Sequence, residues 1–167
     1  MRVPTRKPGK YANQANDPHV TAAKFTELKK HLEHLKKVSQ PHAIAETQRM
    51  AAHGDFSENA GYQVAKARLR GINNRMLEIE EYLKHAIVIT PNENTSTVQL
   101  GHRVTIKSST STKTYTILGS TETNPTAGVI SHSSPLGMAL LGHRVGDIVT
   151  IPLTKGKTAS YTIKEIE

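Results

Sequence analysis

The chain has 167 residues, 36% apolar and 4% aromatic, with no tryptophan, which leaves no material for a large compact core and suits one or two small domains in an elongated or divided shape. Its net charge of +8 and pI near 9.8 favour an acidic partner such as nucleic acid. The absence of cysteine excludes disulfides and thiolate metal sites, and the lack of any run of about 18 apolar residues excludes a membrane-spanning helix.

Residues 1–20 carry Arg2, Arg6, Lys7 and Lys10 against one acid, Asp17, together with three prolines. This composition predicts a disordered basic arm. No apolar stretch follows the basic start, so the segment does not read as a secretory signal, and a cytoplasmic protein is expected.

Residues 21–90 are expected to form an antiparallel helical hairpin. Thr21 is placed to cap the first helix, and Phe25, Leu28, Leu32 and Leu35 follow at steps of three and four. Pro41 is expected to interrupt, with a second segment from His42 to Ala52 continuing the stripe through Ile44, Ala45 and Ala51. Beyond Gly54 the apolar positions are regular: Tyr62, Ala65, Leu69, Ile72, Met76, Ile79, Leu83 and Ala86. Steps alternating between three and four over this length define a coiled-coil seam. A short glycine-centred turn makes the two helices antiparallel neighbours, and some 28 residues give an arm of roughly 40 Å.

The turn itself reads Gly54-Asp55-Phe56-Ser57-Glu58-Asn59-Ala60. Asp55 and Glu58 admit two readings that do not exclude each other. As Asp-x-x-Glu they form a capping box, with Asp55 as N-cap, after a left-handed Gly54. As an exposed acid pair they offer oxygens to magnesium, which takes few protein ligands and keeps several waters. Behind them lie Lys66, Arg68 and Arg70; Lys66 and Arg70 share a face and are placed to meet phosphates, unless they simply form a solvated face. His31 and His34 could ligate a metal, but no third ligand is near in sequence.

Pro91-Asn92-Glu93-Asn94 reads as a linker, and residues 91–167 as a small antiparallel-sheet domain with one short helix. The expected strands are Arg103–Lys107, Thr114–Leu118, Asp147–Pro152 and Ser160–Glu165, with period-two alternation in Val104-Thr105-Ile106 and Tyr115-Thr116-Ile117. Pro135–Leu141 is the helix candidate, closed by Gly142, and Lys155-Gly156-Lys157 a hairpin turn. The fold class is therefore α+β.

Taken together, His53-Gly54-Asp55-Phe56-Ser57-Glu58-Asn59-Ala60 followed by Tyr62 resembles the tip signature of the bacterial Gre transcript cleavage factors. Ile130-Ser131, Ser134-Pro135, Ala139-Leu140-Leu141-Gly142 and Val145-Gly146-Asp147 resemble that family's second signature. The resemblance covers roughly residues 22–167. It implies an N-terminal coiled coil and an FKBP-like C-terminal domain that docks at the secondary channel of RNA polymerase. It also implies that Asp55 and Glu58 help hold a magnesium ion in the polymerase active centre, where the 3′ end of backtracked nascent RNA is cleaved. On this basis the protein is a monomeric cofactor in trans, not a free-standing enzyme. Lys66 and Arg70 are implied to meet RNA, and Ser134 and Pro135 to dock on polymerase.

The sequence departs from the family pattern at Gly61, commonly acidic, at Ser133, commonly Asp or Asn, and at Ser120-Thr121, which replace an acidic pair. Three other functions remain open from the residues: a channel-binding regulator without cleavage activity, a prolyl isomerase or chaperone, and a basic coiled-coil RNA binder. Retention of both acids argues against the first. The sparse aromatics of the second domain, Tyr115 and Tyr161, argue against the second.

Overall fold

A computed structural model of the chain describes residues 17–52, 59–90, 94–152 and 158–167. A helical hairpin leads into a five-stranded mixed sheet with one short helix. Helices α1 (Ala22–His34) and α2 (Gln40–Ala51) form one arm and α3 (Ala60–His85) the other. The arms run antiparallel. Lys36 pairs with Glu80, Gln40 donates to Asn73 at 2.9 Å, and Arg68 pairs with Glu46 at 3.1 Å, so residue numbers fall on one arm as they rise on the other.

Thr21 is the N-cap of α1, its hydroxyl accepting from the Lys24 amide at 3.2 Å. Every expected seam residue of α3 is buried or half-buried, with Ala65 and Ile79 the most enclosed. The first arm departs from expectation. It does not break at Pro41 but passes through a π-helical turn, Leu35–Ser39, in which the Gln40 amide donates to the Leu35 carbonyl. The wider turn accommodates a proline that lacks an amide hydrogen and crowds the carbonyl four residues back. One extra residue in a turn rotates everything after it by about 100°. The stripe therefore moves from Ile44 and Ala45, which are exposed, to Ala43, 2% exposed, with Thr47 and Met50 half-buried.

Residues 17–20 also differ from the expected arm. His19–Thr21 form strand β1, which pairs in parallel with β2 (Ile87–Ile89) at the foot of the hairpin, and Val20 is fully enclosed. Three-residue strands are too short to show a period in sequence.

The sheet contains β3 (Arg103–Lys107), β4 (Thr112–Leu118), β5 (Val129–Ser131), β6 (Ile148–Pro152) and β7 (Thr158–Ile166), in the order β5-β4-β3-β7-β6. Antiparallel pairing holds throughout except at β4–β5, which is parallel. The chain makes that crossover through two short 3₁₀ turns, Ser120–Glu122 and Pro125–Ala127. Helix α4 (Pro135–Leu140) packs against β6. Val98, Val104, Ile106, Ile117, Leu140, Val149, Ile163 and Ile166 form one apolar core, each contributing on the order of 1.5–3 kcal/mol by burial. Among the described residues no helix is long and apolar enough to cross a membrane.

Candidate functional site

Asp55 and Glu58 lie outside the described residues, as does the Lys155-Gly156-Lys157 turn. The residues on either side of the acidic segment are described. Asn59 is the N-cap of α3: its side-chain oxygen accepts from the Tyr62 amide at 3.0 Å. Its amide nitrogen donates to the Met50 carbonyl at 2.8 Å, tying the two arms together. One side chain thus satisfies a donor at the start of α3 and an acceptor near the end of α2. The capping assigned to Asp55 from the sequence belongs to Asn59. The Asp-x-x-Glu spacing suggested otherwise because Asn59 is an equally good cap just downstream. Gly61 lies close to this junction: a Cβ there would come within 3.2 Å of both Asn59 Oδ1 and Met50 Sδ.

Lys66 and Arg70 are both exposed, one helical turn apart on α3. Lys66 lies over the Tyr62 ring at 5.7 Å, within cation–π range. Arg68 is engaged by Glu46, so Lys66 and Arg70 are the members of the basic group facing solvent without that cross-arm partner.

Ser134 and Pro135 stand at the other end of the molecule, in the sheet domain. Ser134 is the N-cap of α4: its hydroxyl accepts from the Gly137 amide at 3.0 Å and donates to the Ser131 carbonyl at 2.6 Å. Its polar atoms are therefore committed internally, while Pro135 at the first helical position is exposed. The departures at Ser120 and Ser133 have a structural counterpart: the hydroxyls of Ser120, Ser131 and Ser133 close a triangle with edges of 2.8, 2.7 and 3.2 Å. Exposed apolar side chains, Met138, Val145 and Ile148, lie on α4, in the following turn and at the start of β6. Sequence reading missed them as surface because Met138 and Ile148 fall within otherwise core-forming elements. In the same turn Asp147 accepts from the Arg144 amide at 2.8 Å. That amide first, and the His143 imidazole second, hold the Asp147 carboxyl below its ordinary range.

A third cluster joins the hairpin foot to the sheet. Asp17, with a side chain only 10% exposed, accepts from the Ser120 amide at 2.6 Å and from the His19 amide and imidazole at 3.1 and 2.9 Å. Burial pushes its carboxyl up, but the hydrogen bonds from Ser120 and His19 overcome this and bring it down to about 2. His132 Nδ1 lies 3.2 Å from Asp17 Oδ2 but out of line for a hydrogen bond, so this buried nitrogen has no hydrogen-bond partner. Beside it the Glu122 carboxylate takes both the amide and hydroxyl of Thr21, at 2.7 and 2.6 Å. Tyr82 and Thr121 hydroxyls meet at 3.1 Å.

Helical hairpin and mixed sheet together define a two-part protein in which the foot of the hairpin is joined to the sheet domain. Residues 19–88 match the family described as "Transcription elongation factor, N-terminal", and residues 93–167 match "Transcription elongation factor, GreA/GreB, C-term". Thermomicrobium roseum "Transcription elongation factor GreA" is 41% identical over 147 residues, covering 87% of this chain and 94% of the relative. The same-named protein of Macrococcus caseolyticus is 37% identical over 149 residues, covering 88% and 94%. The crystal structure of GreA factor homolog 1 (Gfh1) of Thermus thermophilus aligns at 26% identity over 89% of this chain and 97% of its own, with a TM-score of 0.40. The chain belongs to the GreA/GreB family of transcription elongation factors.

Proposed function

We propose that this chain binds RNA polymerase through its sheet domain, inserts its helical hairpin through the secondary channel, and stimulates cleavage of backtracked nascent RNA. The supporting observation is the antiparallel hairpin tied by Asn59 and Met50. The connection from Ala52 to Asn59, which carries Asp55 and Glu58, joins the helix ends opposite the foot where α3 meets β2. At 1.5 Å per residue the 26 residues of α3 span about 39 Å, a reach suited to carrying a pair of acids away from the sheet domain into a channel.

Two carboxylates are the donor set magnesium prefers, and a pair alone leaves room for ligands from a partner. Asp55 and Glu58 would hold the ion jointly with polymerase. Magnesium there supplies activation of the attacking water and stabilisation of developing charge. Lys66 and Arg70, set roughly 9 and 15 Å along α3 from Ala60, would steer the phosphates of extruded RNA toward the tip. Ser134 acts in docking by capping α4 and so presenting Pro135, its own hydroxyl being occupied. On this reading the protein completes an active site that belongs to polymerase, and carries no catalysis alone.

The test is to add the full chain and magnesium to stalled elongation complexes and follow the RNA 3′ end. Magnesium-dependent shortening with resumed elongation is expected. Tight binding that blocks nucleotide addition without any shortening would replace this reading with that of a non-cleaving channel regulator.

A further inference from the structure

We propose that Asp17, His19 and His132 form a binding site for a divalent transition metal of the zinc class, clasping the N-terminal strand onto the sheet domain. This trio is the group among the described residues whose ligand atoms converge: one from each residue lies within 4.8 Å of the other two. Asp17 lies two residues before His19, the first residue of β1, and its carboxylate turns back to the His19 amide and imidazole, while Val20 is fully enclosed. His132 arrives from the turn after β5, its amide donating to the Leu118 carbonyl at 2.9 Å.

The separations suit a shared ion. Ligand atoms bound at roughly 2.0 Å in a tetrahedral shell lie about 3.3 Å apart; His19 Nδ1 lies 2.9 Å from Asp17 Oδ1 and His132 Nδ1 3.2 Å from the other oxygen, Oδ2, so the carboxylate turns one oxygen to each imidazole. The His132 nitrogen nearest the carboxylate is buried without a hydrogen-bond partner, which is costly for a polar atom. A metal ion would satisfy it. The Asp17 carboxylate is already oriented by the Ser120 amide at 2.6 Å, the outer contact that a metal-ligating carboxylate usually has. Two imidazoles and one carboxylate favour zinc and its first-row neighbours over magnesium, which prefers oxygen. The site is thus chemically separate from the acidic tip, and the inference does not depend on cleavage activity.

The consequence is mechanical. β1 carries the start of α1, so an ion shared between His19 and His132 fixes the foot of the hairpin to the sheet that docks it. Zinc binding should therefore raise thermal stability by mass action on the folded state.

Full-length protein without a histidine tag is titrated with zinc chloride by calorimetry, and with cobalt(II) followed by visible absorption. Parent protein is expected to bind one equivalent, to show cobalt ligand-field bands, and to melt at higher temperature with zinc. His132→Ala and His19→Gln, checked for folding by circular dichroism, are expected to weaken binding roughly tenfold or more and to lose the thermal shift. His31→Ala with His34→Ala is expected to change neither. Absence of stoichiometric binding in the parent, or equal binding in folded His19 and His132 variants, would overturn the site and leave the trio a hydrogen-bonded and ion-paired clasp.

Discussion

Gly119 has no room for a side chain. A Cβ there would overlap the His19 carbonyl oxygen, because β1 crosses directly above the turn that leaves β4. Gly119→Ala is expected to push β1 off the sheet and to destabilise the protein by about 1–3 kcal/mol, read as a lower midpoint in urea. Gly71 is the contrast: it sits exposed in α3, and a Cβ at that position would meet nothing within 4 Å, so its presence has no packing reason. Asp147 shows how a family-signature residue acts locally. Its carboxyl is depressed by the Arg144 amide and then by His143. A depressed carboxylate supports its turn above the ordinary carboxylate range and loses that support as pH falls through the lowered value. His143→Ala should raise the Asp147 pKa only part of the way, since the backbone bond remains; carboxyl NMR titration measures this, and a full return to the ordinary value would contradict the assignment.

At the scale of elements, the π-helical turn decides which residues of the first arm meet the second. Ile44→Lys is expected to change stability by no more than about 0.5 kcal/mol, while Ala43→Glu should cost about 2 kcal/mol or more by burying a charge in the seam. Thermal melts of the two variants distinguish the π-shifted stripe from an uninterrupted one, which would give the opposite order. The seam of α3 was legible in sequence because eight apolar residues repeat without a gap. The first arm was not, since Pro41 announces a disturbance without saying whether the helix breaks or widens. Strands β3 and β4 showed period-two alternation, and β6 and β7 showed as runs rich in β-branched residues. β5 and the β1–β2 pair did not, being three residues each and held by partners far along the chain. The same distance hid the histidine cluster: His19 and His132 have no sequence spacing that a local motif could capture.

Across the whole molecule, the hairpin foot and the sheet domain are joined by the Asp17 cluster, the Glu122 grip on Thr21 and the Tyr82–Thr121 contact. These give the rod a fixed base, and Asn59 closes it near the tip. The acids at issue were legible in sequence as a motif; that Asn59, and not Asp55, caps α3 was not. On the proposed function, reach, anchor and acid pair are separate parts of the chain, and removing the acids should abolish stimulated cleavage without detaching the chain from polymerase. The most direct measurement is cleavage by stalled elongation complexes with parent chain and with Asp55→Ala plus Glu58→Ala, polymerase affinity being measured alongside. The double variant is expected to bind as the parent does and to lose stimulated cleavage; a double variant that cleaves as well as the parent would contradict the role proposed for the acids.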